Sequence, residues 1–178
     1  KDENNMDETI RIDYVDRIQH VYSLYPTSDD ELAYARGIEE EAEVIEVVTQ
    51  GEACTVTVHT TQGVYHFTRF RTDYVGHSSR MLVSLLAHFR VGLSLEFIVS
   101  HQTFTVYIIS SKVAVGQHDY LLAQRLGIYT LVEPVQLLLS IRAMDSILAL
   151  ADRYHIEPEL VVEQLLAKEM ELVKADHR

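Results

Sequence analysis

The sequence predicts an α+β fold, an antiparallel sheet with packed helices followed by a C-terminal helical hairpin. Apolar residues recur at helical intervals before Pro26 and again after Pro134, whereas residues 44–110 are rich in β-branched and aromatic side chains. The 178 residues, 47% of them hydrophobic, can bury the core of one domain plus a small appendage. We therefore expect an α+β domain over residues 1–132 and a helical hairpin over residues 133–178 that serves as a dimerisation element.

The N-terminal segment predicts two helices. Apolar side chains recur every three or four residues in residues 7–25, which indicates an amphipathic helix that Pro26 ends. Ser28 followed by Glu31 is a capping-box pattern, so a second, short helix is expected to end near Gly37.

The centre of the chain predicts strands joined by short turns. We expect three strands, over residues 44–48, 55–61 and 64–70. If Gln62 and Gly63 form a two-residue turn, the register places His59 opposite His66 on one face of the sheet.

The remaining elements follow from the same rules. A helix is expected over residues 78–90, with Ser78 as its N-cap. Two strands, residues 93–99 and 103–110, then precede a helix near residues 118–126. After Pro134 the apolar spacing predicts two helices, separated by a turn at His155–Pro158.

Charge is spread unevenly along the chain, whose net charge is −12. Residues 1–50 carry 14 acidic and 4 basic side chains, whereas residues 51–132 carry 6 basic and 4 acidic side chains and six of the nine histidines. A histidine-rich middle between acidic flanks favours a bound anion, so we expect a phosphate-containing small molecule or nucleotide as ligand. The acidic N-terminal segment, with its run Glu39–Glu43, is a candidate surface for a protein partner.

Composition also limits the function classes. The negative net charge opposes coating of DNA, because phosphate neutralisation needs a basic face, so nucleic acid is less favoured than a small ligand. Signatures of serine hydrolases, P-loop proteins and dinucleotide-binding proteins are absent, and no cofactor or metal is expected. No apolar run reaches the ~20 residues of a membrane span. The single cysteine, Cys54, and a start without a signal-peptide pattern predict a cytoplasmic protein.

The strongest candidate anion site is the start of the helix expected at residue 78. A helix N-terminus exposes unpaired N–H groups and the positive end of the helix dipole. His77 is placed to act as a general acid, with His66 assisting it. The expected ligand-binding residues are Arg69, Arg71, Ser78, Arg80 and His88.

Two family resemblances involve these histidines. The motifs His66-x-Thr68 and His101-x-Thr103 resemble the paired motifs of two-histidine phosphoesterases. Residues 75–116 resemble small viral and bacterial ring nucleases that cleave cyclic tetra-adenylate, through Val75-Gly76-His77, the following Leu-rich helix, a strand pair, Lys112 and Gly116. The second resemblance implies a dimeric, metal-independent phosphodiesterase in which His77 is the general acid.

Residues 135–174 are similar in layout to a ribbon-helix-helix module, with a strand at 135–141 before two helices. This resemblance implies a homodimeric DNA-binding regulator that reads bases through Gln136, Ser140 and Arg142. A non-enzymatic regulator or interaction protein is therefore the alternative to an enzyme. A third hypothesis is a pH-responsive module, because histidines titrate near neutrality.

Overall fold

A computed structural model describes residues 8–176, which divide after Glu133 into two units. The described part of the first unit contains these strands: β1 Ile10–Val15, β2 Ile18–Ser23, β3 Ala42–Gln50, β4 Ala53–Thr60, β5 Gly63–Phe67, β6 Val91–Gly92, β7 Phe104–Tyr107, β8 Lys112–Val115, β9 His118–Arg125 and β10 Ile128–Val132. Its helices are α1 Ser28–Ala35, α2 His77–His88 and α3 Leu95–His101. The second unit contains α4 Ile141–Tyr154 and α5 Pro158–Asp176. No helix among residues 8–176 is long and apolar enough to cross a membrane.

The fold is α+β, with the ten strands in one sheet of order β1-β2-β5-β4-β3-β7-β8-β9-β10-β6. The sheet is mixed, so the prediction of a purely antiparallel sheet is wrong. β2 pairs with β5 in parallel, and β10 pairs with β6 in parallel, while the other neighbours are antiparallel. Both parallel pairs join strands that are far apart in sequence, which local patterns do not reveal.

The helix predicted over residues 7–25 is wrong, because residues 10–23 form the hairpin β1–β2. Asp16 and Arg17 both have positive φ, 49° and 69°, which is the backbone of a type I′ turn. Neither turn residue is a glycine, so the usual sequence signal of such a turn is missing. Residue 7 lies outside the described residues.

Two further elements differ from their predictions. The strand expected over residues 93–99 is wrong, because residues 95–101 form α3. The Ser94 hydroxyl accepts a hydrogen bond from the Phe97 N–H and caps the helix there. Residues 118–125, expected as a helix, form β9, which pairs on both sides, with β8 and β10. Tertiary pairing decides both cases over local apolar spacing.

The register between β4 and β5 is shifted by two residues from the predicted one. His66 lies opposite Thr57, and His59 lies opposite Val64. The Thr60 side chain closes the turn by donating to the Gly63 carbonyl and accepting from the Gly63 N–H. A shift of two residues keeps every side chain on its face of the sheet, so His59 and His66 still share one face.

One face of the sheet packs against α1, α2 and α3. Three leucines of α2, Leu82, Leu85 and Leu86, are fully buried. They belong to one cluster with side chains of the central strands, including Ile45, Val47, Val56, Val58, Phe67, Phe104 and Val106. The opposite face carries the histidines of β2, β4 and β5.

The first turn of α1 is tied to the chain beyond β5 by a buried carboxylate. Glu31 is completely buried, and its two oxygens accept the N–H groups of Thr68 at 3.0 Å and Arg69 at 2.9 Å. Burial raises the pKa of Glu31, while these hydrogen bonds oppose the rise. Phe70 and Thr72 are also buried, so the segment that leads to α2 is fixed.

In the second unit, α4 and α5 pack against each other. The Ser140 hydroxyl accepts from the Ala143 N–H at 3.1 Å and caps α4, and His155 ends that helix with a left-handed backbone. Residues 133–140 form no strand, so the strand expected there for the ribbon-helix-helix layout is wrong. Ser140 ends the extended segment because its hydroxyl starts a helix.

We expect Glu31→Ala to lower the free energy of unfolding by about 2–4 kcal/mol, because two backbone N–H groups lose their acceptor. Glu31→Gln keeps one carbonyl oxygen and should lose about half as much. Urea unfolding at neutral pH measures both values. Glu52→Ala, at an exposed turn position, is the control and should stay within about 0.5 kcal/mol of wild type. A loss of unfolding free energy in Glu31→Ala as small as that in Glu52→Ala would contradict this account.

Candidate functional site

Helices α1 and α2 run side by side in the same direction. At their N-terminal ends the hydroxyls of Ser28 and Ser78 lie 3.1 Å apart. At the other end, Nε2 of His88 lies 2.9 Å from the carbonyl oxygen of Ile38, just beyond α1. The positive ends of both helix dipoles therefore converge at one place.

Donors are concentrated at this convergence. The first helical hydrogen bond of α2 runs from the Arg80 N–H to the Gly76 carbonyl, which leaves the N–H groups of His77, Ser78 and Ser79 without a helical acceptor. Nε2 of His77 lies 2.7 Å from Oδ2 of Asp29, a residue of the first turn of α1. Both side chains are mostly exposed, at 65% and 60%. The two helix starts are thus linked by one histidine–carboxylate pair and one pair of hydroxyls.

The cap of α2 differs from its prediction. Gly76, rather than Ser78, is the N-cap, and its N–H donates to the Ser79 hydroxyl at 2.8 Å. Ser79 donates in turn to the Gly76 carbonyl. A Cβ at position 76 would overlap the ring of Tyr74, so only glycine fits without movement of that ring. Since Ser79 makes the capping bonds, the Ser78 hydroxyl can face Ser28.

Two of the three predicted arginines lie near this end. Nε of Arg69 donates to the carbonyl of Tyr25, just before α1. Arg80 is exposed one turn into α2, where helical side chains lean towards the N-terminus. Arg71 instead forms a two-point bond with Asp73, at 2.8 and 2.7 Å, which lowers the pKa of Asp73. The charge of the Arg71 guanidinium is therefore already paired with that of Asp73.

His66 belongs to a separate cluster on the open face of the sheet. Its Nε2 lies 2.9 Å from Nδ1 of His20, its Nδ1 lies 3.5 Å from the Thr57 hydroxyl, and its ring stacks on Tyr22 at 4.3 Å. The Arg11 guanidinium covers Tyr22 at 4.5 Å. Both ring nitrogens of His66 are engaged here, so none of its described contacts supports the predicted assistance to His77.

The pairing of His66 with His101 is not seen either. His101 ends α3 and packs on Phe97 and Tyr120, and therefore does not lie on a strand beside His66. His88, predicted to bind the ligand, bonds Ile38 at the far end of the helix pair. Among residues 8–176, no three histidine, cysteine or acidic side chains form a possible metal-binding group.

Burial lowers the pKa of His66, and the nearby rings of His20 and His59 lower it further. His59 is itself bonded to Glu46 at 2.8 Å. A hydrogen bond between the two ring nitrogens of His20 and His66 needs one lone pair, so both rings cannot be cations while it persists.

The candidate DNA-reading residues, Gln136, Ser140 and Arg142, do not lie on a strand. Ser140 uses its hydroxyl to cap α4, and Arg142 lies in the first turn of that helix. Gln136 lies in the irregular segment before it. A two-stranded ribbon needs paired strand residues at these positions, and residues 133–140 form no strand.

Sequence reasoning missed Asp29, Ser28 as a hydroxyl partner, and the His20–Tyr22 part of the histidine cluster. Asp29 lies 48 residues from His77, and no local pattern links them. His20 and Tyr22 alternate with Val21, a two-residue period that the expected helix obscured.

No protein-family model, curated protein or solved structure matches this chain. The ring-nuclease and ribbon-helix-helix resemblances stay predictions.

We expect the protein to lose stability as the pH falls from about 8 to about 5, partly through His66. Its pKa is lower in the folded state than the unfolded value of about 6.5, so its contribution is complete above that pH and is lost on acidification. His66→Phe should therefore show a smaller drop in Tm between these pH values. Exposed His155→Asn is the control and should keep the wild-type drop, since asparagine tolerates its left-handed backbone. Equal drops in His66→Phe and wild type would refute the assignment.

Proposed function

We propose that this protein binds a phosphate-containing ligand, a nucleotide or a cyclic oligonucleotide, at the converging N-terminal ends of α1 and α2. The observation that carries the proposal is the contact between Ser28 and Ser78, which brings the two positive helix ends together. Ligands of this class occur in the cytoplasm, the location that the sequence predicts.

Within this convergence the start of α2 favours an anion, because the acidic residues belong to α1 and the Glu31 carboxylate among them is already bonded to two backbone N–H groups. Each helix contributes about half a positive charge at its N-terminus, and parallel neighbours add their fields. The first turn of α1 carries three acidic residues, whereas the first turn of α2 carries none. Arg69 and Arg80 add two cations near the same end. The first turn of α2 has no carboxylate of its own, so a phosphate beside it would be stabilised by the helix dipole.

Asp29 acts as an internal substitute for that phosphate. Its carboxylate bonds His77, so a negative group already rests beside the start of α2. An incoming phosphate would accept from the Ser78 hydroxyl and free N–H groups, and would compete with Asp29 for His77. Removal of the Asp29 carboxylate should therefore strengthen phosphate binding, an effect that is not expected where phosphate binds only to basic side chains.

If the ligand is a cyclic or linear RNA, the same geometry supports metal-independent cleavage. The ribose 2′-hydroxyl would attack phosphorus, the bond to the 5′-oxygen would break, and a 2′,3′-cyclic phosphate would form. Protonated His77 would give its proton to the leaving 5′-oxygen, and the 2′-hydroxyl proton would pass to water. Arg69 and Arg80 would stabilise the added negative charge.

We expect isothermal titration with adenosine monophosphate and cyclic tetra-adenylate to detect binding that depends on this end of the helix pair. Ser78→Ala and Arg80→Gln should each weaken binding about tenfold, a loss of about 1.4 kcal/mol. Asp29→Asn should tighten it, because the competing carboxylate is gone. If cleavage of cyclic tetra-adenylate occurs, His77→Ala should abolish it without weakening the fold.

Arg153→Gln, an exposed arginine of α4, is the matched control and should bind like wild type. Unchanged or weaker binding by Asp29→Asn, together with unchanged binding by Ser78→Ala, would exclude this site. Binding without any turnover would leave a ligand-binding protein and remove the enzymatic step.

A second observation favours self-association through residues 134–178, which we propose form a helical hairpin that dimerises. The described part of this unit buries only Ala151, Leu160 and Val161, while large apolar side chains stay exposed. They include Leu138, Ile141, Met144, Leu148, Leu165, Leu166, Met170, Leu172 and Val173. A unit of about 45 residues rarely supports its own core, so a second copy is the simplest cover.

We expect light scattering after size exclusion to give the mass of a dimer. Leu165 and Leu172 are seven residues apart on one side of α5, so replacing both with glutamate should place charge in the interface and yield monomers. Lys168→Glu on the same helix is the control and should remain dimeric. A wild-type monomer at about 100 µM, far above a typical dimer Kd, would refute the proposal.

A further inference from the structure

A cavity of about 470 Å³ opens at the opposite, C-terminal end of α1 and α2. Four apolar residues line it, Ile38, Ala42, Phe89 and Ile108, and the first three of these are buried. Tyr129 and Gln124 lie along one side. Charged and polar side chains form most of the remaining lining, and a volume in this range is typical of a small-molecule site.

Charged side chains of both signs also line the cavity. Arg90 lies 4.0 Å from Glu41, and Glu40 accepts a hydrogen bond from the Tyr65 hydroxyl at 2.6 Å. Among residues 8–176, the side chains of Arg36 and Glu39 make no hydrogen bond or ion pair. The cavity therefore presents one unpaired guanidinium and one unpaired carboxylate that do not bind each other.

We propose that this cavity binds a zwitterionic small molecule with an apolar side chain, the chemistry of a free aliphatic or aromatic α-amino acid. The carboxylate of the ligand would bond Arg36, and its ammonium group would bond Glu39. Its side chain would lie against the half-buried Ile108 and Tyr129 and remove their remaining apolar surface from water.

The electrostatics here oppose a phosphate ligand. Both helices end at this cavity, and helix C-termini carry about half a negative charge each. Three glutamates and two arginines line it, so the charged lining is itself net negative. A dianionic phosphate would be repelled, whereas a zwitterion meets both unpaired groups without adding net charge. The inference is independent of the phosphate site, which lies at the other end of the same helices.

Titration calorimetry with L-phenylalanine and two analogues tests the inference. Phenylalanine amide lacks the carboxylate, and 3-phenylpropanoate lacks the ammonium group, so each should bind at least about tenfold more weakly than phenylalanine. Arg36→Gln should weaken phenylalanine binding and leave the amide unchanged. Glu39→Gln should weaken phenylalanine binding and leave 3-phenylpropanoate unchanged.

Glu52→Gln and Arg153→Gln, exposed residues that do not line the cavity, are the matched controls and should bind phenylalanine as wild type does. L-Leucine in place of phenylalanine tests the aliphatic class in the same way. Absence of binding by both amino acids at about 10 mM would overturn the inference. Equal phenylalanine binding by Arg36→Gln, Glu39→Gln and the wild type would also overturn it. Binding of adenosine monophosphate that Arg36→Gln weakens would do the same.

Discussion

The buried carboxylate of Glu31 is the constraint on which the arrangement of this protein depends. It is a side chain of α1, but its partners are the backbone N–H groups of Thr68 and Arg69, just past β5. A fully buried carboxylate needs such donors, since an unpaired charge in the interior is strongly unfavourable. The chain that follows leads directly into α2. One side chain thus ties the first turn of α1 to the segment that leads into α2.

Parallel helices give the first unit a polarity along its helix pair. Hydroxyls and N–H groups collect at one end, near Ser28 and Ser78, while carbonyls and glutamates collect at the other, near Ile38. Antiparallel helices would have cancelled these fields within a turn or two. The opposite chemistry of the two proposed sites follows from this single geometric fact.

Local sequence rules succeeded where a residue acts on its near neighbours. The short helix α1, the longer α2 and its buried leucines lie where local patterns predict them, although the N-caps are Thr27 and Gly76 rather than Ser28 and Ser78. The same rules failed for β1–β2 and β9, since Asp16-Arg17 makes a turn without glycine and β9 is held by strands on both sides. Parallel pairing of β2 with β5 joins distant residues, and no local pattern encodes it.

The residues of the candidate site also fall into two groups, those that local sequence patterns predict and those that only tertiary contacts bring together. The clustering of His77, Ser78 and Arg80 follows from their spacing on one helix, and Arg69 joins them because the connection from β5 is short. Asp29 could not be anticipated, because its contact with His77 joins two different helices. His66 was misjudged for a related reason. Its partners His20 and Tyr22 lie on a strand that the sequence pattern did not distinguish from a helix.

The parallel contact between β2 and β5 also makes β1–β2 a separable part of the sheet. β1 is an edge strand, and within the described residues the hairpin pairs with the remaining strands only along β5. Closing that contact brings together residues 19–22 and 63–66, which is a late event for a folding chain. A hairpin that pairs with the sheet along one strand only can detach locally, at a lower free energy than the unfolding of the whole domain. The His20–His66 bond crosses this contact, so protonation of both rings would weaken the attachment of the hairpin to the rest of the sheet.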